Sequence, residues 1–288
     1  MNLNNKAKLR LIVGWILLLL AVGFFCLQLG SFFVQARFQA EYVDDRLFYI
    51  INMICVICLA MGILLLLRPR KLWAFIGVGA AAAYLFAQVV LLVHNNQETD
   101  NITSISPDWK HVLSIKENME TGESVYYRSY YKNLARPKEP LPFEIDGEVK
   151  VDWLADDVAV VTYKAENETI QQYIGTYGDR GTGRSYYYVG AETHGRWQGE
   201  NVEVINDAEG ITVSENGEAE TFDWDHIEQF GTLAIVLKRD NHAVWTISLD
   251  ENFEVHSDAS EPMEGTITLY KATMEDNQPI TLEYVGEN

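Results

Sequence analysis

The stretch best equipped for chemistry in this chain is Gly178-Asp179-Arg180-Gly181-Thr182-Gly183-Arg184, which follows Tyr177. Two guanidinium groups, together with backbone N–H groups left open by closely spaced glycines, are donors suited to an anionic group. A phosphate-cradling glycine loop should lead into a helix whose N-terminus completes the site. Here Ser185-Tyr186-Tyr187-Tyr188-Val189 follows, which reads as a strand, so an ordinary hairpin loop is the competing reading. Tyrosines also gather at Tyr126, Tyr127, Tyr130 and Tyr131 and again at Tyr186 to Tyr188. Outward aromatics on a sheet form a platform for glycan or peptide, while alternate positions along a strand turn into the core. The expected ligand or partner contact is therefore Asp179, Arg180, Arg184, Tyr186 and Tyr188.

Other reactive residues are scattered. Acidic turns at Asp152, Asp156 and Asp157, and at Asp223 and Asp225, carry calcium-type oxygens without the D-x-D-x-D-G order of a calcium loop. His111, His194, His226, His242 and His256 lack ligand spacing, and G-x-S-x-G and H-E-x-x-H are absent. Asp223-Trp224-Asp225-His226 puts carboxylates beside an imidazole, but adjacent strand residues point to opposite faces. Lys132, Arg136 and Lys138, in a stretch read as a loop because of Pro137, Pro140 and Pro142, have the charge to meet anionic lipid head groups. No catalytic residue, metal or cofactor is expected.

The elements that position these residues begin with three apolar runs: Leu11–Val34, Leu47–Leu67 and Leu72–Val93, of 24, 21 and 22 residues. At about 1.5 Å per residue each makes roughly 32–36 Å of helix, enough for a hydrocarbon core of about 30 Å. The length of the first run and the two that follow it read as a retained span, not a cleaved leader. Lys6, Lys8 and Arg10 precede the first run, and Arg68, Arg70 and Lys71 separate the second from the third. The link between the first two carries only Arg37 and Arg46 against Glu41, Asp44 and Asp45. The positive-inside rule then predicts a cytoplasmic N-terminus and an exported C-terminal part.

None of the runs contains an ionisable acid or base, so no transport pathway is expected. Cys55 and Cys58 share a helix face and read as small hydrophobes. The small-residue face of Gly77, Gly79 and Ala83 suits close packing, within the bundle or against another membrane protein.

Residues 95–288 hold 14 basic and 38 acidic side chains, a net charge of −24, whereas residues 1–94 carry +5. Such an acidic surface excludes nucleic acid as a partner. All three cysteines, Cys26, Cys55 and Cys58, lie in the apolar runs, so the remainder must fold without disulfides, a usage that fits a bacterial surface.

Beyond a predicted tether at residues 95–104, the pattern over 105–288 is short alternating segments between turns, which predicts antiparallel β structure. Trp109, Trp153 and Trp197 recur every 44 residues, near the period of a four-stranded propeller blade. Ser106-Pro107-Asp108-Trp109-Lys110-His111-Val112 resembles the strand-entry motif of TolB-type propellers, with Trp109 where that motif has Gly; the likeness covers seven residues and occurs once. A β-sandwich is the alternative topology.

The chain thus reads as three transmembrane α-helices over 1–94 followed by an acidic, extracytoplasmic all-β domain, sandwich or propeller-like. Its expected setting is the bacterial plasma membrane. The expected role is a non-enzymatic binding or sensing module of the cell envelope; an accessory subunit packing through its helices is the rival, and an anchored hydrolase the third. Expected partners are the bilayer, another membrane protein or an envelope ligand.

Overall fold

The computed structural model describes residues 2–130, 133–178, 188–254 and 263–286. The chain forms two compact units: Met1–Thr103 with Ser114–Pro140, and Ser104–Leu113 with Leu141–Asn288.

The first unit opens with α1 (Asn2–Phe38), a two-residue strand β1 (Glu41–Tyr42), α2 (Arg46–Leu67) and α3 (Lys71–Glu98). All three helices are long and apolar enough to cross a membrane. They exceed the apolar runs because polar flanking residues continue the helical turns. Arg68 ends α2 in the left-handed region, at φ 46°, and Pro69 prevents its continuation. α1 and α2 pack antiparallel through contacts that recur every seven residues on both helices. Gln28 donates to the Phe48 carbonyl (2.9 Å), Cys55 Sγ meets the Ala21 carbonyl (3.3 Å), and a Cβ on Gly62 would lie 3.3 Å from the Gly14 carbonyl. This recurrence is that of interlocking helix pairs.

The expected tether is instead structured. Asn95–Glu98 completes α3, and β2 (Thr99–Ile105) follows directly. Asn101 is buried, and its Oδ1 accepts the Asp45 N–H at 3.1 Å, so polarity here marks a tied connection. After β2 come β3 (Val112–Asn118), β4 (Ser124–Tyr130) and β5 (Leu134–Pro140), in the sheet order β1-β5-β4-β3-β2.

The proline-rich stretch expected as a loop is thus largely a strand. β1 covers only Leu134 and Ala135, so the rest of β5 is an edge, where Pro137 and Pro140 leave no ladder bond broken.

The second unit has two layers. β6 (Ile145–Ala155), β7 (Val158–Ala165) and β8 (Ile170–Thr176) form a three-stranded antiparallel sheet. A short helix α4 (Val189–Glu192) then leads to β9 (Gly195–Gln198), β10 (Val202–Asn206), β11 (Gly210–Glu215) and β12 (Glu218–Asp223). Capping-box spacing from Asp225 to Glu228 predicts a short helical turn starting at Asp225; a 3-10 turn forms instead at Trp224–His226, and Glu228 lies on the strand that follows. The turn connects to β13 (Ile227–Phe230), β14 (Ala234–Arg239), β15 (His242–Leu249), β16 (Thr266–Lys271) and β17 (Ile280–Gly286).

β9 to β17 form one antiparallel sheet in the order β12-β11-β10-β9-β17-β16-β15-β14-β13. It curls almost into a barrel: Arg239 of β14 reaches Glu220 of β12 at 2.8 Å across the seam. Trp197, Val204, Ile211, Ile235, Leu237 and Leu282 fill its interior. Two hairpin turns are legible residue by residue. Asn216-Gly217 and Asp240-Asn241 each place two consecutive residues at positive φ, the turn whose twist matches paired strands. On the opposite face of β14–β16, Val236, Thr246, Ser248 and Tyr270 are buried under the three-stranded sheet. There Thr246 donates to Gln172 at 2.6 Å, and Tyr173 meets Phe230 edge-on.

The antiparallel all-β expectation holds, as a nearly closed curled sheet with a smaller sheet packed on it. Four-stranded blades do not form among the described residues. The three spaced tryptophans are not equivalent: Trp109 is exposed in a turn at φ 63°, Trp153 is half-buried on β6, and Trp197 is fully buried. The propeller-like motif survives only locally. Ser106 and Asp108 side chains take the Lys110 N–H, and Trp109 occupies the left-handed position expected for Gly.

Candidate functional site

Within the first unit, the short link between α1 and α2 carries its own charges into a buried network. Lys116, on β3, is only 6% exposed. Its ammonium lies 2.7 Å from Asp45 and 3.4 Å from Glu41, and 4.6 Å from the centre of the Tyr127 ring. Burial pushes the Asp45 carboxyl above its ordinary value even against the neighbouring Lys116. Burial likewise raises the Tyr127 phenol well above its usual range, with the Glu41 charge and hydrogen bond adding to it.

Hydrogen bonds hold the link in place. Ser114 donates to the Val43 carbonyl at 2.6 Å, and the Val43 N–H donates to the Asn133 carbonyl at 3.1 Å. Arg46 chelates Asp44 at 2.6 Å, neutralising it locally. Below the link, buried Gln28 accepts from the Tyr42 hydroxyl at 3.3 Å.

Beside this network lies a pocket of about 220 Å³. Ser31, Phe32 and Gln35 of α1 form one wall; Phe48 and Tyr49 of α2 and Asn95 of α3 form others; Glu41, Tyr42 and Asp45 complete it. Phe48 meets Phe32 and Tyr49 edge-on, at 5.7 and 5.4 Å between ring centres. Asn95 Oδ1 lies 3.4 Å from the Tyr49 hydroxyl, while its buried Nδ2 has no hydrogen-bond partner among the described residues.

Sequence reasoning passes over this site. Glu41, Asp44, Asp45 and Arg46 enter it only as charges for orientation. The available signal is Lys116, a base that directly follows the mostly apolar stretch Val112–Ile115.

The residues that sequence reasoning names fall elsewhere. Asp179, Arg180, Arg184 and Tyr186 lie outside the described residues, as does most of the expected strand 185–189. Its last two residues depart from that expectation: Tyr188 is exposed and leads into α4, which begins at Val189. The N-terminal base of the loop rests on an aromatic stack in the second unit. Tyr177 stacks on His111 at 4.9 Å and on Trp153 at 5.8 Å, and donates to the Val112 carbonyl. Gly178 is pressed against Asp157, whose Oδ2 would lie 2.6 Å from an added Cβ.

The tyrosines of β4 divide between roles, Tyr126 being buried and Tyr130 exposed. Arg136 and Lys138 lie over aromatic rings: Arg136 over Phe38 and Tyr130, and Lys138 over Tyr126. Asp152 takes the Tyr270 hydroxyl, and Asp223 pairs with His226 across the exposed 3-10 turn. Among the described residues no three His, Cys, Asp or Glu side chains gather as a metal site.

Gly77 and Gly79 meet nothing within 4 Å, and Ala83 is exposed. Close helix approach within this chain uses Gly14 and Gly62 instead. Gly77 does line an apolar groove of about 450 Å³ between α2 and α3, with Trp73, Ala81 and Tyr84.

Comparison with protein-family models, curated proteins and solved structures finds no match for this chain.

Proposed function

We propose that this protein is a membrane-anchored binding or sensing module of the cell envelope, non-enzymatic, with an acidic β-rich part held outside a bacterial plasma membrane. The observation that carries this reading is the Lys116 clamp. A base on the first β-sheet is buried against carboxylates from the link between two apolar helices. An anchor that merely tethers needs no such bond. One built into a sheet can report what that sheet or its neighbouring pocket meets. The basic residues before α1 and between α2 and α3 support the N-in orientation.

The alternative, an accessory subunit, draws on the apolar groove between α2 and α3 and on the open glycines of α3. The test is purification of full-length protein from its native membrane with and without prior cross-linking. A soluble envelope component captured through the β part supports the module. An integral membrane protein captured through α3, and lost in Gly77→Leu, replaces it with the accessory reading. Orientation is checked by impermeant thiol labelling in a variant lacking the three native cysteines. Cysteines at Trp109 or Trp224 should label in intact cells and one at Lys6 should not; the reverse pattern refutes N-in.

A further inference from the structure

The pocket beside the clamp carries an imbalance. Glu41 and Asp45 both line it, and among the described residues Lys116 is the single base between them. Asp44 and Arg46 satisfy each other. Two carboxylates thus share one ammonium, leaving one negative charge at a cavity also lined by the aromatic residues Phe32, Tyr42, Phe48 and Tyr49. Carboxylates with aromatic faces are the chemistry that recognises organic ammonium groups, because the ring faces attract a cation that is too weakly hydrated to prefer water. The protein already shows this chemistry on itself: Lys116 holds its ammonium against the same two carboxylates and over the Tyr127 ring.

We propose that this pocket binds an organic ammonium group bearing a short oxygen-containing substituent, as in an ethanolamine or choline moiety. The ammonium sits on the Glu41–Asp45 side of the cavity, among the rings. Asn95 lines the same cavity, and a turn of its amide lets the Nδ2, which has no partner among the described residues, donate to the ligand's hydroxyl or phosphodiester oxygen. A cavity of about 220 Å³ has room for such a group. Anionic ligands are disfavoured, since no unpaired cation lines the site among the described residues. The inference deepens the binding-module reading and rests on it for the site's place at the outer face; the ammonium chemistry stands on the pocket alone.

The same chemistry is offered by a lipid head group or by a free amine, and two arms separate them. In the first, full-length protein in nanodiscs of phosphatidylglycerol alone is titrated calorimetrically with ethanolamine hydrochloride, choline chloride and, as control, sodium chloride. In the second, protein extracted from mixed phosphatidylethanolamine and phosphatidylglycerol membranes is analysed by native mass spectrometry for retained lipid. Saturable heat with either amine, beyond the sodium control, supports a free-amine site. Preferential retention of phosphatidylethanolamine supports a head-group site.

In either arm Glu41→Gln and Phe48→Leu should each weaken binding about tenfold, the loss expected of one charge or one ring. Phe48→Leu leaves every ion pair intact, so it keeps the test sound if Glu41→Gln loosens Lys116. The proposal is overturned if neither arm shows binding, or if both variants bind as the wild type does. Loss of ammonium binding while envelope partners still co-purify would sink the pocket and leave the proposed function standing.

Discussion

Replacing Lys116 with Met removes the cation from the clamp while keeping most of the side-chain volume. The cost follows from what remains. Asp45 and Glu41 would face each other without a counter-charge, and Asp45 is already disfavoured by burial with Lys116 in place. Breaking one side of a buried ion pair costs about 3–5 kcal/mol. Here the carboxylate side chains are 26% and 31% exposed, so water screens part of the loss, and about 2–3 kcal/mol is expected at pH 8.

The pH dependence has a definite sign. A carboxyl whose folded-state value is raised favours the folded state when protonated. That contribution is fully present below the ordinary value near 4 and is lost as pH rises through the raised one. Removing Lys116 raises Asp45 further, so the deficit of the variant should shrink between pH 8 and pH 5. Adding Asp45→Asn and Glu41→Gln to Lys116→Met should recover most of the stability. Near-UV circular dichroism of the detergent-solubilised full-length protein during denaturant unfolding reads all three quantities. A deficit under about 0.5 kcal/mol at pH 8, or one independent of pH, would refute the assignment of Lys116 as the charge that holds the link.

Three further outcomes are expected. A cysteine at Ala21, in a background lacking Cys26 and Cys58, should form a disulfide with Cys55 on mild oxidation, because the Cys55 sulfur lies 3.3 Å from the Ala21 carbonyl; no cross-link on non-reducing gels means the α1–α2 register is wrong. Gly265→Ala should destabilise the curled sheet by about 1–3 kcal/mol. Gly265 sits at φ 103°, and its added Cβ would lie 2.4 Å from the Asn252 carbonyl, so an unchanged unfolding midpoint would contradict that geometry. Trp197→Ala should cost about 3–5 kcal/mol in the same unfolding experiment, since Trp197 is fully buried in the sheet's interior and its indole N–H donates to the Thr193 carbonyl at 2.8 Å; a loss below about 1 kcal/mol would place it outside the core.

Elements governed by local composition were legible in the sequence. The three apolar runs became helices, and Asn216-Gly217 and Asp240-Asn241 became the tight turns their backbone preferences imply. Elements that depend on a distant partner were not. Nothing near Pro137 reveals that its strand lies mostly on a sheet edge, where a missing N–H costs no ladder bond. The polarity of 95–104 reads as a tether because its tie, Asp45, is 56 residues away from Asn101.

The helix contacts followed the same rule. Gly77 and Gly79 stand close together in a small-residue run, whereas Gly14 and Gly62 work as a pair across the α1–α2 crossing. The site residues of the link were visible as charges but not as a cluster, since clustering required β3 to bring Lys116 to them. Of the contact residues named from sequence, Asp179, Arg180, Arg184, Tyr186 and Tyr188, only Tyr188 is among the described residues.

The separation of the clamp's two halves bears on how the protein is made. Asp45 and Lys116 are 71 residues apart in the chain. At about 5–20 residues per second of synthesis, the acidic link leaves the ribosome roughly 4–14 s before its base. During that interval α3 is also made, and the α1–α2 hairpin already has every residue of its sevenfold contacts. The link must therefore spend its first seconds hydrated or protonated, with the hairpin inserted before its charges are matched. Biogenesis thereby acquires an order: the helices first, then β3 arriving to close the clamp on charges that the link has carried since its synthesis.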